Sequence, residues 1–368
     1  NPTFFFAVKQ MATPPDAALQ RIGQIKGDAA TWGPGAAGLD KDRALFLKLG
    51  AAEVLTAFEE ACIFKGKTRE RNIRGGKSVA FPITGKMAAR YHKPGTPILG
   101  EGNDPSDLNE RVINLDALMI ADAAIANIDE LMAYYDVRSI YTTELGRALA
   151  YEYDKRVARM IFAAASDTTE PLAKTGAAKP AGPADNRGRV GKTITLGTGY
   201  TGAGATRQAK GDSLVEAIFD ARIALEKKDV GIDGAVAVFT PEDYYAITMS
   251  SRAINTDFNG ANGSNGTIAD GRTMQVAGIP IYASNHLQQP AYTLVAGDYN
   301  PLYAQDLSKC HGLVFNKDAV GVLTLMSPSL QMTSGDWNIE YQATLMVARQ
   351  AIGMGVLRAE SAVAIVTA

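Results

Sequence analysis

Residues Val79–Tyr91 alternate apolar and polar side chains on a period of two. Val79, Phe81 and Ile83 share one face, as do Met87, Ala89 and Tyr91. Gly85-Lys86 between the two runs predicts a two-residue hairpin turn, and Pro82 removes a backbone donor, which places its strand at an edge. A two-stranded hairpin is marginal alone in water. The chain must therefore supply a surface for it, and that need constrains the fold more than any other feature of the sequence.

Charge narrows the choice of surface. Lys65–Lys93 holds nine Lys or Arg residues and one acid, Glu70. The next stretch reverses the sign, with Glu101, Asp104, Asp107 and Glu110 and no base. If the hairpin of one copy lies on acidic and apolar surface of the next, the contact is head-to-tail, and such contacts close into rings. The predicted contact residues are Val79, Phe81, Ile83, Lys86, Arg90, Tyr91 and Lys93, facing Glu101, Asp104, Asp107 and Glu110. A hairpin folded onto its own domain satisfies the same residues equally well. A chain built to coat nucleic acid is disfavoured, because 37 basic and 39 acidic residues leave a net charge of −2.

The rest of the chain reads as α+β. Its 368 residues suggest about two domains. Residues 1–40, rich in Ala, Gly and Pro, read as an extended arm with a short helix near Ala17–Ile25, and a further helical pattern covers Asp40–Phe64. After the hairpin come a strand at "RVINL" and the longest helix, Tyr134–Ser166, with Asp136 as a possible N-cap. The apolar face of that helix switches midway. Val137, Tyr141, Leu145 and Ala148 lie on one side, and Tyr153, Val157, Met160, Ile161 and Ala164 lie roughly opposite. Gly146 inside it marks either close packing or mere tolerance. Residues 167–211 form a Pro/Gly/Thr-rich interruption. A helix then starts at Ser213 with a Ser213/Glu216 capping box, and Thr240-Pro241 opens another after the strand "AVAVF". "NGANGSNG" reads as a flexible tip, and short strands follow at "MQVAGIPIYAS", "AYTLVAGD", "HGLVFN" and "AVGVLTLM". The stretch from Trp337 fits helix or strand.

Chemical motifs fail on inspection. "NRGRVGKT" and "RNIRGGKS" have Asn186 and Arg71 where a phosphate loop needs its first glycine, and both run into strand-like sequence. "GTGYTG" at Gly197–Gly202 is cut off from the next helix by polar "ATRQAKGD". Cys310 and His311 are adjacent, and no residues at zinc spacing accompany them. Glu152 with Lys155 and Arg156 reads as a solvated helix-face pair. The expectation is a protein without catalytic residues, cofactor or metal. Two cysteines point to a reducing cytoplasm, and no apolar run approaches the ~20 residues that span a bilayer.

"GGKSVAFPITGKMAARYHKPG", followed by "ERVINLDALMIADAAIANIDELMAYYDVRSIYTTELGRALA", resembles the major capsid proteins of short-tailed phages of the autographivirus kind. "TPEDYYAITM", "VAGIPIYASNHL", "AVGVLTL" and "GVLRAESAVAIV" are similar too, so the resemblance covers about two thirds of the chain. It implies the Hong Kong 97 phage capsid fold: an N-terminal arm (1–64), an extended hairpin loop (65–110), a peripheral domain with a spine helix (111–212 and 303–368) and an axial domain (213–302). It further implies self-assembly into hexamers and pentamers of an icosahedral head, formed in the host cytoplasm around double-stranded DNA. The partners implied are further copies of the chain, a scaffolding protein, a portal protein and the packaged DNA, bound without sequence specificity, with no membrane. A cellular nanocompartment shell of the same fold is the alternative.

Overall fold

The computed structural model describes residues 62–84, 91–95, 97, 108–133, 137–168, 190–202, 204–250, 275–333 and 336–368. The expected arm, the helices before Cys62, the Gly85-Lys86 turn, the Asp136 cap and the Asn/Gly tip lie outside these residues. Two units partition the chain. One comprises residues 60–119, 150–327 and 350–368, the other residues 1–59, 120–149 and 328–349.

The larger unit is built on a six-stranded mixed sheet. Its strands are β5 (Lys192–Thr195), β6 (Val236–Phe239), β7 (Gln275–Val276), β8 (Ile279–Ala283), β9 (Cys310–Phe315) and β12 (Ala362–Val366), in the order β5-β12-β9-β6-β8-β7. The sheet shows why "VAVF" is apolar throughout. All four residues of β6 are buried, because the sheet is covered on both faces. Val236 and Val238 join Leu313 and Phe315 of β9 in a core with Val157, Met160 and Ile161. Ala237 and Phe239 point the other way, into a second core with Leu214, Ile218, Ala221 and Leu225. Val157, Met160 and Ile161 belong to helix α2 (Val137–Ser166), and Leu214, Ile218, Ala221 and Leu225 to helix α4 (Arg207–Lys227).

Helix α4 begins six residues before the expected Ser213. Its N-cap is Thr206, whose hydroxyl accepts a hydrogen bond from the Ala209 N–H at 3.2 Å. Tertiary packing makes the polar prefix helical. Gly211 lies against helix α5 (Pro241–Thr248) so closely that a Cβ there would sit 2.1 Å from the Ala246 carbonyl oxygen. Helix α3 (Thr198–Thr201) is a single turn formed by the "GTGYTG" glycine pattern. The Thr240 cap and Pro241 start of α5 are as the sequence reads. "AYTLVAGD" is not a strand; its backbone is irregular with one turn at Ala296-Gly297, closed by the Asp298 N–H donating to the Val295 carbonyl at 3.0 Å. Strand β1 (Arg69–Asn72), which no pattern announced, pairs in parallel with β10 (Val320–Met332). "KTIT" and "SVAFPIT" are strands, as the failed phosphate loops require.

Helix α2 is continuous over 30 residues. Its first half buries Leu145 and Leu149 and leaves Ala148 exposed, against expectation; from Asp154 to Ala165 nearly every residue is buried. The helix therefore sinks into a core rather than changing faces. In the smaller unit, β4 (Met119–Ala126) runs into helix α1 (Asn127–Met132), and the Asn127 N–H donates to the Gln342 carbonyl at 2.9 Å. Helix α6 (Asp336–Tyr341) and strand β11 (Ala343–Val356) resolve the ambiguity after Trp337. A four-stranded sheet has the order β1-β10-β11-β4.

Candidate assembly surface

A β-hairpin-like pair exists, and its described partner strand comes from farther along the chain than the sequence pattern placed it. Strand β2 (Ser78–Thr84) pairs antiparallel with β3 (Leu108–Asn114), from Ser78 opposite Asn114 to Thr84 opposite Leu108. Residues 85–107 thus form the connection, and Tyr91, expected at the end of a strand, lies outside any strand and is exposed. The correction has a physical reason. "RVINL" supplies a β-branched partner strand that packs on a core, whereas Met87–Arg90 of the expected second strand lie outside the described residues. Among the described residues no strand other than β3 pairs with β2, which puts Pro82 on an edge strand, opposite Glu110.

The root of the hairpin lies on its own chain. Ile113, Leu115, Leu323 and Leu357 form a buried cluster, and Val79, Phe81 and Ile73 pack against it half-buried. Glycines make the seat. A Cβ on Gly321 would come 2.9 Å from Ile113 Cδ1, and one on Gly355 2.7 Å from Ile113 Cγ1. Gly353 lies closer still, where a Cβ would stand 2.3 Å from the Asn114 carbonyl oxygen. Gly353 and Gly355 share one face of β11 by strand alternation, so the "IGMGV" pattern is a flat track for β3. Arg111 adds an ion pair to Asp167, just beyond the end of α2, at 3.2 Å.

The predicted contact residues therefore separate. Val79 and Phe81 face their own core, Ile83 lies in β2 opposite Asn109, and Glu110 lies within the hairpin itself. Tyr91 and Lys93 are exposed in the connection. Lys86, Arg90, Glu101, Asp104 and Asp107 lie outside the described residues.

Three buried polar networks, none legible in the sequence, hold the elements behind this surface. In the first, Arg156 is not solvated. Its Nη1 donates to Asp298 Oδ1 at 2.7 Å, its Nε donates to Glu152 Oε1 at 3.1 Å, and Asp116 Oδ2 lies 3.9 Å away. Burial works against its charge, but the Asp298 and Glu152 carboxylates outweigh that and raise its pKa above the ordinary value. Asp298 is likewise penalised by burial, yet the Val295 N–H and Arg156 hold it below the usual carboxylate range. Burial pushes Asp116 up despite hydrogen bonds from Tyr303 and the Tyr299 N–H, so Asp298 is the firm partner of the pair.

In the second network the fully buried Asp154 of α2 accepts from the Cys62 thiol at 2.6 Å and from the Ile63 N–H at 2.8 Å. This bond pins the segment that leads to the hairpin. In the third, Asp243 at the start of α5 accepts from Tyr200 at 2.6 Å and from Thr240 at 2.6 Å, with His311 Nδ1 at 2.9 Å. Asp154 ties α2 to the Cys62–Ile63 segment, and Asp243 joins donors from three parts of the chain, an arrangement that suits a clamp. Among the described residues no group of three or more His, Cys, Asp or Glu side chains could hold a metal ion, and no helix is long and apolar enough to cross a membrane.

Comparisons with known proteins agree with this architecture. A family model described as "Gp10A-like: Major capsid protein" matches residues 80–366. The chain is 29% identical over 334 residues to the major capsid protein of Escherichia phage T7, covering 88% of this chain and 92% of that protein. The identity to the major capsid protein of Enterobacteria phage T3 is also 29%, over 344 residues, covering 91% and 94%. Among solved structures, the capsid of Cyanophage P-SCSP1u superposes with a TM-score of 0.73 at 33% identity, covering 93% of this chain and 99% of that one. The mature capsid of bacteriophage PhiM1 superposes with a TM-score of 0.67 at 17% identity, covering 96% and 98%, a likeness of fold alone.

Proposed function

The chain belongs to the Gp10A-like major capsid protein family, and from that membership we propose its working form: hexamers and pentamers that close into an icosahedral phage head. It is a phage major capsid protein with the Hong Kong 97 type of fold, a structural subunit that assembles with its own copies into the shell of the virion. The family match favours this over a nanocompartment shell. On this reading the hairpin with its connection (65–110) is the extended loop, α2 the spine, 213–302 the axial domain and 1–64 the arm. Assembly proceeds in the host cytoplasm with a scaffolding protein and a portal, and the shell encloses double-stranded DNA held without sequence specificity. The chain does no catalysis.

One observation supports the assembly role most directly. The hairpin root is fixed on its own core by the glycine track, while Tyr91 and Lys93 in the connection stand exposed. A rigid root with an exposed distal part suits a loop that reaches a neighbouring copy. Electron microscopy of the purified chain, with and without a scaffolding protein, tests the reading. Closed icosahedral shells are expected; a monodisperse monomer under both conditions would end it.

A further inference from the structure

The run "AYTLVAGDY" (Ala291–Tyr299) is apolar enough to read as a strand, yet its backbone is irregular with a turn at Ala296-Gly297; Tyr292 packs partly buried against the first core, while Leu294, Val295 and Tyr299 are exposed. Val295 and Tyr299 are each 57% exposed, Leu118 is 47% exposed, and Leu294 and Leu302 are partly exposed. Hydrogen bonds hold the segments that carry them together. The Ala117 N–H donates to the Gly297 carbonyl at 3.0 Å, and the Tyr299 N–H donates to Asp116 Oδ1 at 3.2 Å, which sets Leu118 beside the run. The loop is rigidly built. Asp298 Oδ2 accepts from the Val295 N–H at 3.1 Å, its other oxygen takes Arg156, and Tyr303 donates to Asp116 Oδ2 at 2.6 Å.

We propose that the surface of Leu118, Leu294, Val295, Tyr299 and Leu302 is an assembly contact, and that its occupant is a second copy of this chain. The proposal rests on the shell reading and adds where one copy receives the next. Large apolar groups held in one conformation by buried charges lose little conformational freedom on docking, which is the economy of a preorganised anchor. Such a surface left in water has no use in a monomer. The family makes shells of its own chain, so the abundant partner is that chain. Charge agrees, since Lys77 Nζ stands 5.9 Å from the centre of the Tyr299 ring and the stretch 101–110 of a second copy brings four acids and no base. The contact need not be self-complementary, because shell contacts are head-to-tail.

The test places one thiol on the patch. Val295→Cys is labelled with a maleimide, both in the unassembled full-length chain and in shells freed of scaffold and DNA. The native thiols give a low background, because burial, with Asp154 beside Cys62, pushes Cys62 and Cys310 up to about 12. Labelling should be rapid in the subunit and at least tenfold slower in shells. Equal rates would overturn the proposal. Protection that requires retained scaffold or DNA would overturn it too, by assigning the surface to another occupant. In a second arm, Val295→Glu with Tyr299→Ser should keep the wild-type circular dichroism and melting temperature and lower the yield of closed shells at least tenfold. An unchanged yield would refute the contact. If wild-type shells form while Val295→Cys stays reactive, this surface alone is excluded; if the wild type makes no shells, the shell reading falls and this proposal with it.

Discussion

Arg156 stands four residues after Glu152 on a helix, a spacing that usually marks a solvated pair. Here the same spacing feeds a buried hub, because Asp298 arrives from 142 residues away. Removing one partner of a buried pair costs about 3–5 kcal/mol, since the other charge is left without compensation. Arg156→Met should therefore lower the unfolding free energy of the isolated subunit by about that amount, read as a lower urea midpoint. The acid limb of stability should change as well. Asp298, held below the ordinary value of ~3.9, contributes stability that is present above that value and lost as pH falls through its lower folded value. Asp116, held above the ordinary value, does the reverse. It costs stability near neutral pH, and its protonation relieves that cost as acid is added. The wild type should thus gain slightly before it loses stability on acidification, and Arg156→Met should flatten the loss. An unchanged acid limb in the variant would show that Arg156 does not set the Asp298 charge.

At the scale of elements, two glycines have opposite meanings that sequence cannot distinguish. Gly146 in α2 is exposed, and a Cβ there would meet nothing within 4 Å. It is tolerated rather than required, so Gly146→Ala should stabilise the subunit by about 1 kcal/mol, read as a higher melting temperature. Gly353 in β11 lies under β3, where a Cβ would stand 2.3 Å from a backbone oxygen. Backbone cannot swing aside as a side chain can. Gly353→Ala should destabilise by about 1–3 kcal/mol, the usual range for overpacking, and should weaken amide-exchange protection in β3 before that in β9. Equal melting temperatures for the two variants would contradict this division.

For the whole molecule, the hairpin's two parts should separate by experiment. Replacing residues 85–107 with Asn-Gly would join Thr84 to Leu108 through a two-residue turn and keep the β2–β3 register. The isolated subunit should then melt within a few degrees of the wild type, because Val79, Phe81 and Ile113 keep their core, while closed shells should vanish in sedimentation. Deleting β2 as well should unfold the root, since it strips the Leu323 and Leu357 cluster of its cover. Normal shells from the shortened chain would take assembly away from the connection. Short-range information in the sequence determined the α+β class, the continuity of the long helix, the Thr240-Pro241 start of α5, the edge position of Pro82 and, through the resemblance of its motifs, the capsid family. All but the family rest on periodicity, capping or proline chemistry that acts within a few residues, and the family rests on the resemblance alone. The partner of β2, the six helical residues before Ser213, the irregular path of "AYTLVAGD" and the burial of Arg156 were decided by tertiary structure alone. Each depends on groups far apart in sequence, a carboxylate 142 residues away or a glycine track on another strand, and no local pattern carries the energy of a contact whose other half lies elsewhere in the chain.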